Sequence, residues 1–227
     1  MKLTFSLEAA QPQQLTVDIK TFIVAGWAGR DRAAIDHHIE ELAAIGVPRP
    51  SAVPLYYRVA ANQLSQEPRI QVVGPDSSGE VETLVFMANG ELHVGITSDH
   101  TDRKLESHSV ALSKQLCAKP VGRGAWRFAD VAGHWDELVI RAWILEQGKK
   151  VLYQEGALSA LRLPAELIAG YAAGAAALPA GCAMSCGTVG AIGAIRPSSW
   201  FAMELFDPRS GRSLRHEYAI DVLPEIA

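Results

Sequence analysis

The chain has 227 residues, 48% of them hydrophobic and 20% charged, with a formal net charge of −4. That length suits one domain with a sizeable core, and the balance is globular rather than disordered. An acidic chain without a Lys/Arg run offers no electrostatic footprint for nucleic acid.

Residues 1–8 alternate polar and apolar side chains and have neither the basic start nor the apolar run of a signal peptide. Residues 14–24 alternate in the same way and are rich in β-branched types, so both segments read as strands. The first helix is expected over residues 31–44, with Ile35, Ile39, Leu42 and Ile45 at helical spacing. Gly46, Pro48, Pro50 and Pro54 then stop it. Strands follow at residues 69–73 and 80–87, and Asn89-Gly90 predicts a type I′ hairpin that returns residues 91–97 antiparallel. A helix is expected over residues 102–117, with Leu105, Val110, Leu112 and Leu116 as its apolar positions.

Residues 138–145 and 150–154 form a second hairpin around Gln147-Gly148. Pro164 opens a helix, where its missing N–H costs nothing, and residues 165–177 continue it. The apolar run 165–178 is too short for a bilayer and is interrupted by Gly170 and Gly174, so no membrane partner is expected. The last third alternates short strands with Gly-rich turns. Cys117, Cys182 and Cys186 cannot all pair within one chain and read as reduced, buried residues of a cytoplasmic protein. With no repeat and no linker, the expectation is a β-rich α+β fold.

Glu80-Val81-Glu82 opens a strand, so both carboxylates project from one face while Val81 packs behind them. Two carboxylates this close repel, and one protonates unless a cation sits between them. The Asn89-Gly90 hairpin brings Asp99 back beside the pair. Three hard oxygen donors favour Mg²⁺, with Mn²⁺ or Ca²⁺ as alternatives, over zinc. The competing reading is a solvated strand face whose glutamates only discourage edge pairing.

A set of motifs in one order decides between them, because it resembles the fumarylacetoacetate hydrolase family over most of the chain. Glu80-Val81-Glu82 is similar to the family's E-x-E metal motif, and the segment from Gly95 to Arg103 to its G-Y-x-x-x-N-D-x-S-A-R run, with Asp99 as third ligand. Lys114, followed by Pro120-Val121-Gly122, resembles the active-site lysine and its downstream P-x-G. Gln147-Gly148-Lys149 through Gln154 resembles the N-G-x-x-x-Q strand, and Leu163 through Ile168 the helix start that follows it. Leu178-Pro179-Ala180-Gly181 through Gly190 resembles L-x-P-G-D-x-I-x-T-G-T-P-x-G, which includes Thr188. Ser98, Cys182 and Val189 depart from the usual Asn, Asp and Pro, and the stretch between Glu82 and Asp99 is shorter than usual.

The resemblance implies a mixed β-sheet roll like the family's C-terminal domain, a divalent metal and a homodimer. It divides a single catalytic domain, 1–227, into N-terminal strands with a lid-like helix (1–68) and a metal-binding roll (69–227). His38 and Glu41 resemble the family's H-x-x-E dyad, one helical turn apart, although His37 and Glu40 share the spacing. Arg58 matches a position where the family often has a lysine facing the substrate. Arg103, Gln154 and Thr188 are the other implied substrate contacts, and Lys114 the catalytic cation. Together these imply a metal-dependent hydrolase or lyase acting on a small 2-oxo acid or acylpyruvate-like carboxylate through a metal-bound enolate. Hydrolysis of a C–C bond, decarboxylation and hydration share that logic. The alternative is a non-catalytic protein of the same fold that binds metal and a small carboxylate.

Overall fold

The structure is a computed structural model that describes residues 1–8, 13–44, 49–174 and 177–226; at His38, Glu41, Leu42 and Ala44 it describes the backbone alone. Period-two alternation builds the first hairpin. Strand β1 (Lys2–Leu7) buries Leu3, Phe5 and Leu7, and the antiparallel β2 (Gln13–Asp18) buries Leu15 and Val17. The strand expected over residues 14–24 is broken after Asp18, and β3 (Thr21–Gly26) starts anew. Helix α1 (Arg32–Ala44) follows, with the Asp31 carboxylate accepting from the Ala34 N–H at 3.0 Å as an N-cap. Its expected apolar positions Ile35 and Ile39 are buried, whereas the Leu42 side chain and Ile45 lie outside the described residues.

The chain continues through β4 (Leu55–Val59), β5 (Arg69–Val73), β6 (Val81–Ala88) and β7 (Glu91–Ser98). Asn89 and Gly90 take φ of 52° and 79°, the left-handed pair that a type I′ turn requires. The helix expected over residues 102–117 is two short ones, α2 (Arg103–Glu106) and α3 (Val110–Leu116). Asp102 caps the first and Ser109 the second, so a cap in the middle of the run restarts the helix. Leu112 and Leu116 are exposed, while Ser113 and Lys114 are the buried residues of α3. The helix therefore turns its polar face inward, the reverse of the expected amphipathic arrangement.

After β8 (Gly124–Arg127) come β9 (Val139–Glu146) and β10 (Lys149–Ala157), joined at Gln147-Gly148 with φ of 51° and 75°. Helix α4 (Pro164–Tyr171) is shorter than expected, because Ala173 and Gly174 adopt left-handed φ; residues 175–176 lie outside the described ones. After β11 (Cys182–Ser185), the last third is dominated by two long paired strands, β12 (Trp200–Asp207) and β13 (Arg212–Leu223), rather than short ones.

An eight-stranded mixed sheet has the order β2-β1-β8-β7-β6-β11-β3-β4, and a five-stranded one β10-β9-β12-β13-β5. The main core lies between the sheets, where Val81, Val85 and Ile96 meet Ile140, Phe201, Met203 and Leu205. On its other face the large sheet curls, so strands from its two ends share one cluster: Phe5 and Leu15 with Phe22, Val24, Leu84 and Phe86. Phe5 and Phe86 stack there with centroids 4.3 Å apart. Strand β6 is thus covered on both faces, with Leu84 and Phe86 inside the curl. By the same alternation Glu80 and Glu82 point to that inner side, at the start of the strand. The fold is a β-rich roll of mixed sheets with few, short helices.

Candidate functional site

The hairpin register sets the geometry. Val81 lies opposite Ser98, Glu82 opposite Thr97, and the Asp99 N–H donates to the Glu80 carbonyl at 2.9 Å. Glu80, Glu82 and Asp99 each offer a carboxylate oxygen, and these lie within 4.8 Å of one another. They form one wall of a cleft of about 630 Å³. Glu82 and Asp99 are almost wholly buried, and the Gly187 N–H donates to Glu82 Oε2 at 3.0 Å.

Three cations face these carboxylates. Lys114 Nζ donates to Asp99 Oδ2 at 2.5 Å and lies 5.6 Å from the centroid of the Tyr57 ring. Lys119 Nζ donates to Asp99 Oδ1 at 2.7 Å and to the His100 carbonyl at 2.5 Å. Arg103 donates to Ser78 Oγ at 2.7 Å and to Glu106 at 3.0 Å. Its Nη2 sits 3.0 Å from Glu80 Oε1, yet that buried nitrogen makes no aligned hydrogen bond.

Burial opposes ionisation of Asp99, but Lys114 and Lys119 outweigh it and hold the carboxyl well below the usual range. Burial likewise opposes the Lys114 charge, and Asp99 and Glu80 more than restore it. Lys119, without solvent and beside Lys114, is pushed below its ordinary value and is the weaker base of the two. Glu82 has no cation of its own. Burial, Asp99 and Glu80 push its carboxyl up to about 8, so it holds a proton near neutrality. A buried carboxyl kept protonated by its neighbours, among three oxygen donors, is a site that fits a hard divalent cation.

The structure brings together Glu80, Glu82, Asp99, Arg103, Lys114, Gln154 and Thr188, all of which line the cleft. Gln154 and Thr188 are heavily engaged within the protein. Gln154 Oε1 accepts from the Val81 N–H at 3.0 Å, and Nε2 donates to Thr188 Oγ1 at 2.9 Å and to the Val189 carbonyl at 2.6 Å. The Thr188 hydroxyl in turn donates to the Val81 carbonyl at 2.7 Å. Both donors of the amide therefore hold the glycine-rich segment after β11 against β10, and its acceptor oxygen holds the start of β6.

Arg58 is not among the lining residues; its guanidinium donates to the Tyr171 hydroxyl at 3.0 Å and to Thr21 Oγ1 at 3.4 Å. His38 and Glu41 fall on α1, but their side chains lie outside the described residues. Residues Asp31, Ala34 and Ile35, at and just after the start of that helix, do line the cleft.

Gly187 holds its place by necessity: φ is 89°, and a Cβ there would meet the Ala28 Cβ at 2.6 Å. Gly187→Ala is therefore expected to cost about 2–4 kcal/mol through strain and overpacking. Urea unfolding measures it, and a loss below about 0.5 kcal/mol, typical of neutral surface changes, would show that the segment is free to shift.

Two features escape sequence reasoning. Lys119 carries no motif of its own; its only signal is a second lysine five residues after Lys114, which the bridge between Lys119-Pro120 and Leu64-Ser65 turns inward. Trp27 holds φ of 59°, a left-handed conformation that costs a bulky residue roughly 1–3 kcal/mol, and it lines the cleft. His100 is fully buried between the Tyr218 hydroxyl and Ser77 Oγ, each 3.0 Å away. Burial lowers it to about 3, so it stays neutral.

No curated protein matches the sequence. Among solved structures the chain is similar to Cg1458 with an inhibitor, at a TM-score of 0.67 and 15% identity, covering 93% of this chain and 81% of that one. It is similar to 2-keto-3-deoxy-D-arabinonate dehydratase complexed with magnesium and 2,5-dioxopentanoate (TM-score 0.65, 14% identity, 96% and 79% covered). It is also similar to yeast ynq8, a fumarylacetoacetate hydrolase family protein (TM-score 0.64, 14% identity, 92% and 96% covered). These likenesses show that the chain has the fold of the fumarylacetoacetate hydrolase family. A family model described as "Protein of unknown function (DUF2848)" matches residues 25–218, and the chain belongs to that family.

Proposed function

We propose that this protein is a divalent-metal-dependent hydrolase or lyase acting on a small 2-oxo acid or acylpyruvate-like carboxylate. The observation that carries this reading is the convergence of Glu80, Glu82 and Asp99 within 4.8 Å, beside Lys114 and Arg103, in one wall of a cleft. The dehydratase of the same fold, complexed with magnesium and 2,5-dioxopentanoate, supports Mg²⁺ and an oxo compound.

Glu80, Glu82 and Asp99 would hold the metal, which when bound supplies Lewis acidity to a carbonyl oxygen of the substrate. The Lys114 ammonium, fixed by Asp99, stabilises negative charge that develops next to that carbonyl. Arg103 Nη2, buried and short of a hydrogen bond, receives the substrate carboxylate. Gln154 and Thr188 act by positioning the glycine-rich wall. His38, with Glu41 one turn away on α1, is the proposed base. The protein would act as a single catalytic domain in the cytoplasm and as a homodimer, which light scattering at micromolar concentration tests. Among the described residues no helix is long and apolar enough to cross a membrane.

The test combines melting curves with and without Mg²⁺ or Mn²⁺ and a turnover assay over a panel of 2-oxo acids. Metal should raise the melting temperature, because only the folded chain assembles the three carboxylates. His38→Ala should lower turnover by about 10²–10⁴-fold, and His37→Ala far less. Equal losses at the two positions would remove the dyad. Oxalate binding without turnover of any panel member would make the protein a binder rather than an enzyme.

A further inference from the structure

The cleft is two-sided in character. Its charged groups crowd into the cluster of Glu80, Glu82, Asp99, Arg103 and Lys114, while Trp27, Ile35, Leu161, Val189 and Ile195 line the same space. Tyr57 joins the two parts: its ring faces the Lys114 ammonium, and its hydroxyl lies close to Trp27. Ile195 is 50% exposed, an apolar side chain at the cleft left half open to solvent.

Outside the cluster, the charged side chains among the described lining residues are Asp31 and Glu106, and both are acidic. Asp31 caps α1, and Glu106 pairs with Arg103. A second carboxylate on a ligand would lose its water there and meet no cation among the described lining residues, since Arg196, which lies over the Tyr153 ring, is already engaged by Glu146. An alkyl or aryl group would gain by burial against the apolar wall. Trp27 sharpens the contrast, since its left-handed φ suits glycine and is strained for an indole that nonetheless lines the cleft.

Building on the function proposed above, we propose that the substrate carries one carboxylate, held at the Lys114–Arg103 end, and an uncharged apolar tail. The tail lies against Trp27, Tyr57 and Ile195, and Trp27 is a specificity-determining residue.

Calorimetric titration of the full chain with Mg²⁺ and oxalate, pyruvate, 2-oxopentanoate, 2-oxohexanoate and 2-oxoglutarate tests this. Affinity should rise from pyruvate to 2-oxohexanoate by up to about fourfold per added methylene. 2-Oxopentanoate should bind at least tenfold more tightly than 2-oxoglutarate, which ends in a carboxylate instead of a methyl. Trp27→Gly should abolish the gain from the tail and hold oxalate, which has none, within about twofold. Ile195→Asp, at an exposed position, repeats the test if Trp27→Gly does not fold, and should likewise erase the gain. Oxalate binding with no dependence on tail length, or with 2-oxoglutarate preferred, would overturn the tail assignment alone. Absence of binding by oxalate and by every 2-oxo acid would overturn the carboxylate site itself, and the tail with it.

Discussion

Metal-free protein is expected to lose stability as the pH rises from about 4.5 to about 8, the interval between the ordinary and the folded-state values for Glu82. Across that window the folded chain holds one more proton than the unfolded chain, so stability falls with pH. The contribution is fully present below the lower value and is lost as pH passes the upper one. Binding of Mg²⁺ must expel this proton, so the gain in melting temperature from Mg²⁺ should grow over the same interval. Glu82→Gln, neutral at every pH, should flatten the metal-free slope and remove most of the Mg²⁺ gain. Melting curves across that range, with and without Mg²⁺, check both parts. If the Glu82→Gln variant keeps the wild-type slope, the titration belongs to another group and the charge argument fails.

Lys119→Met should be the more damaging of the two lysine replacements for stability. Lys119 has no exposure at all, and its ammonium serves both Asp99 Oδ1 and the His100 carbonyl. Methionine fills much of the volume but leaves both oxygens buried without that donor, a loss of about 3 kcal/mol. For a chain of this size that corresponds to roughly 6–12 °C in melting temperature. Lys114→Met should cost less stability, because Lys114 lines the cleft and water can reach the freed Asp99 oxygen. Its larger effect should be on turnover. Equal melting temperatures for the two variants would mean that the two ammonium groups are interchangeable supports.

Much of this site could be read from the sequence because it is local. Glu80 and Glu82 share a strand face by periodicity alone, and Asn89-Gly90 fixes how the next strand returns, so Asp99 follows from counting along a hairpin. Lys114 was legible only through its place in a series of motifs, since the helix pattern around it pointed the wrong way: Leu112 and Leu116 are outside and Lys114 is inside. Periodicity assumes that apolar residues face the core, and it fails where the core-facing surface is itself the charged site. Lys119 and Trp27 were missed for a related reason. Each is placed by tertiary structure, one by a short bridge to Leu64-Ser65 and the other by a left-handed backbone turn, and neither leaves a spacing in the chain.

The position of β11 has a consequence for how the chain comes to be folded. This four-residue strand sits between β6 and β3, antiparallel to one and parallel to the other, yet it follows them in sequence by roughly a hundred residues or more. Until residues 182–185 arrive, β3 and β6 each present an unpaired row of backbone donors and acceptors, one of them on the very strand that bears Glu82. Such long-range closure makes for slow collapse to the native state and a lasting window for edge-to-edge association between nascent chains. The carboxylate strand is thus finished late, by a strand encoded far downstream of it. A chain shortened before Cys182 would keep all three carboxylates and both lysines and still leave their sheet open.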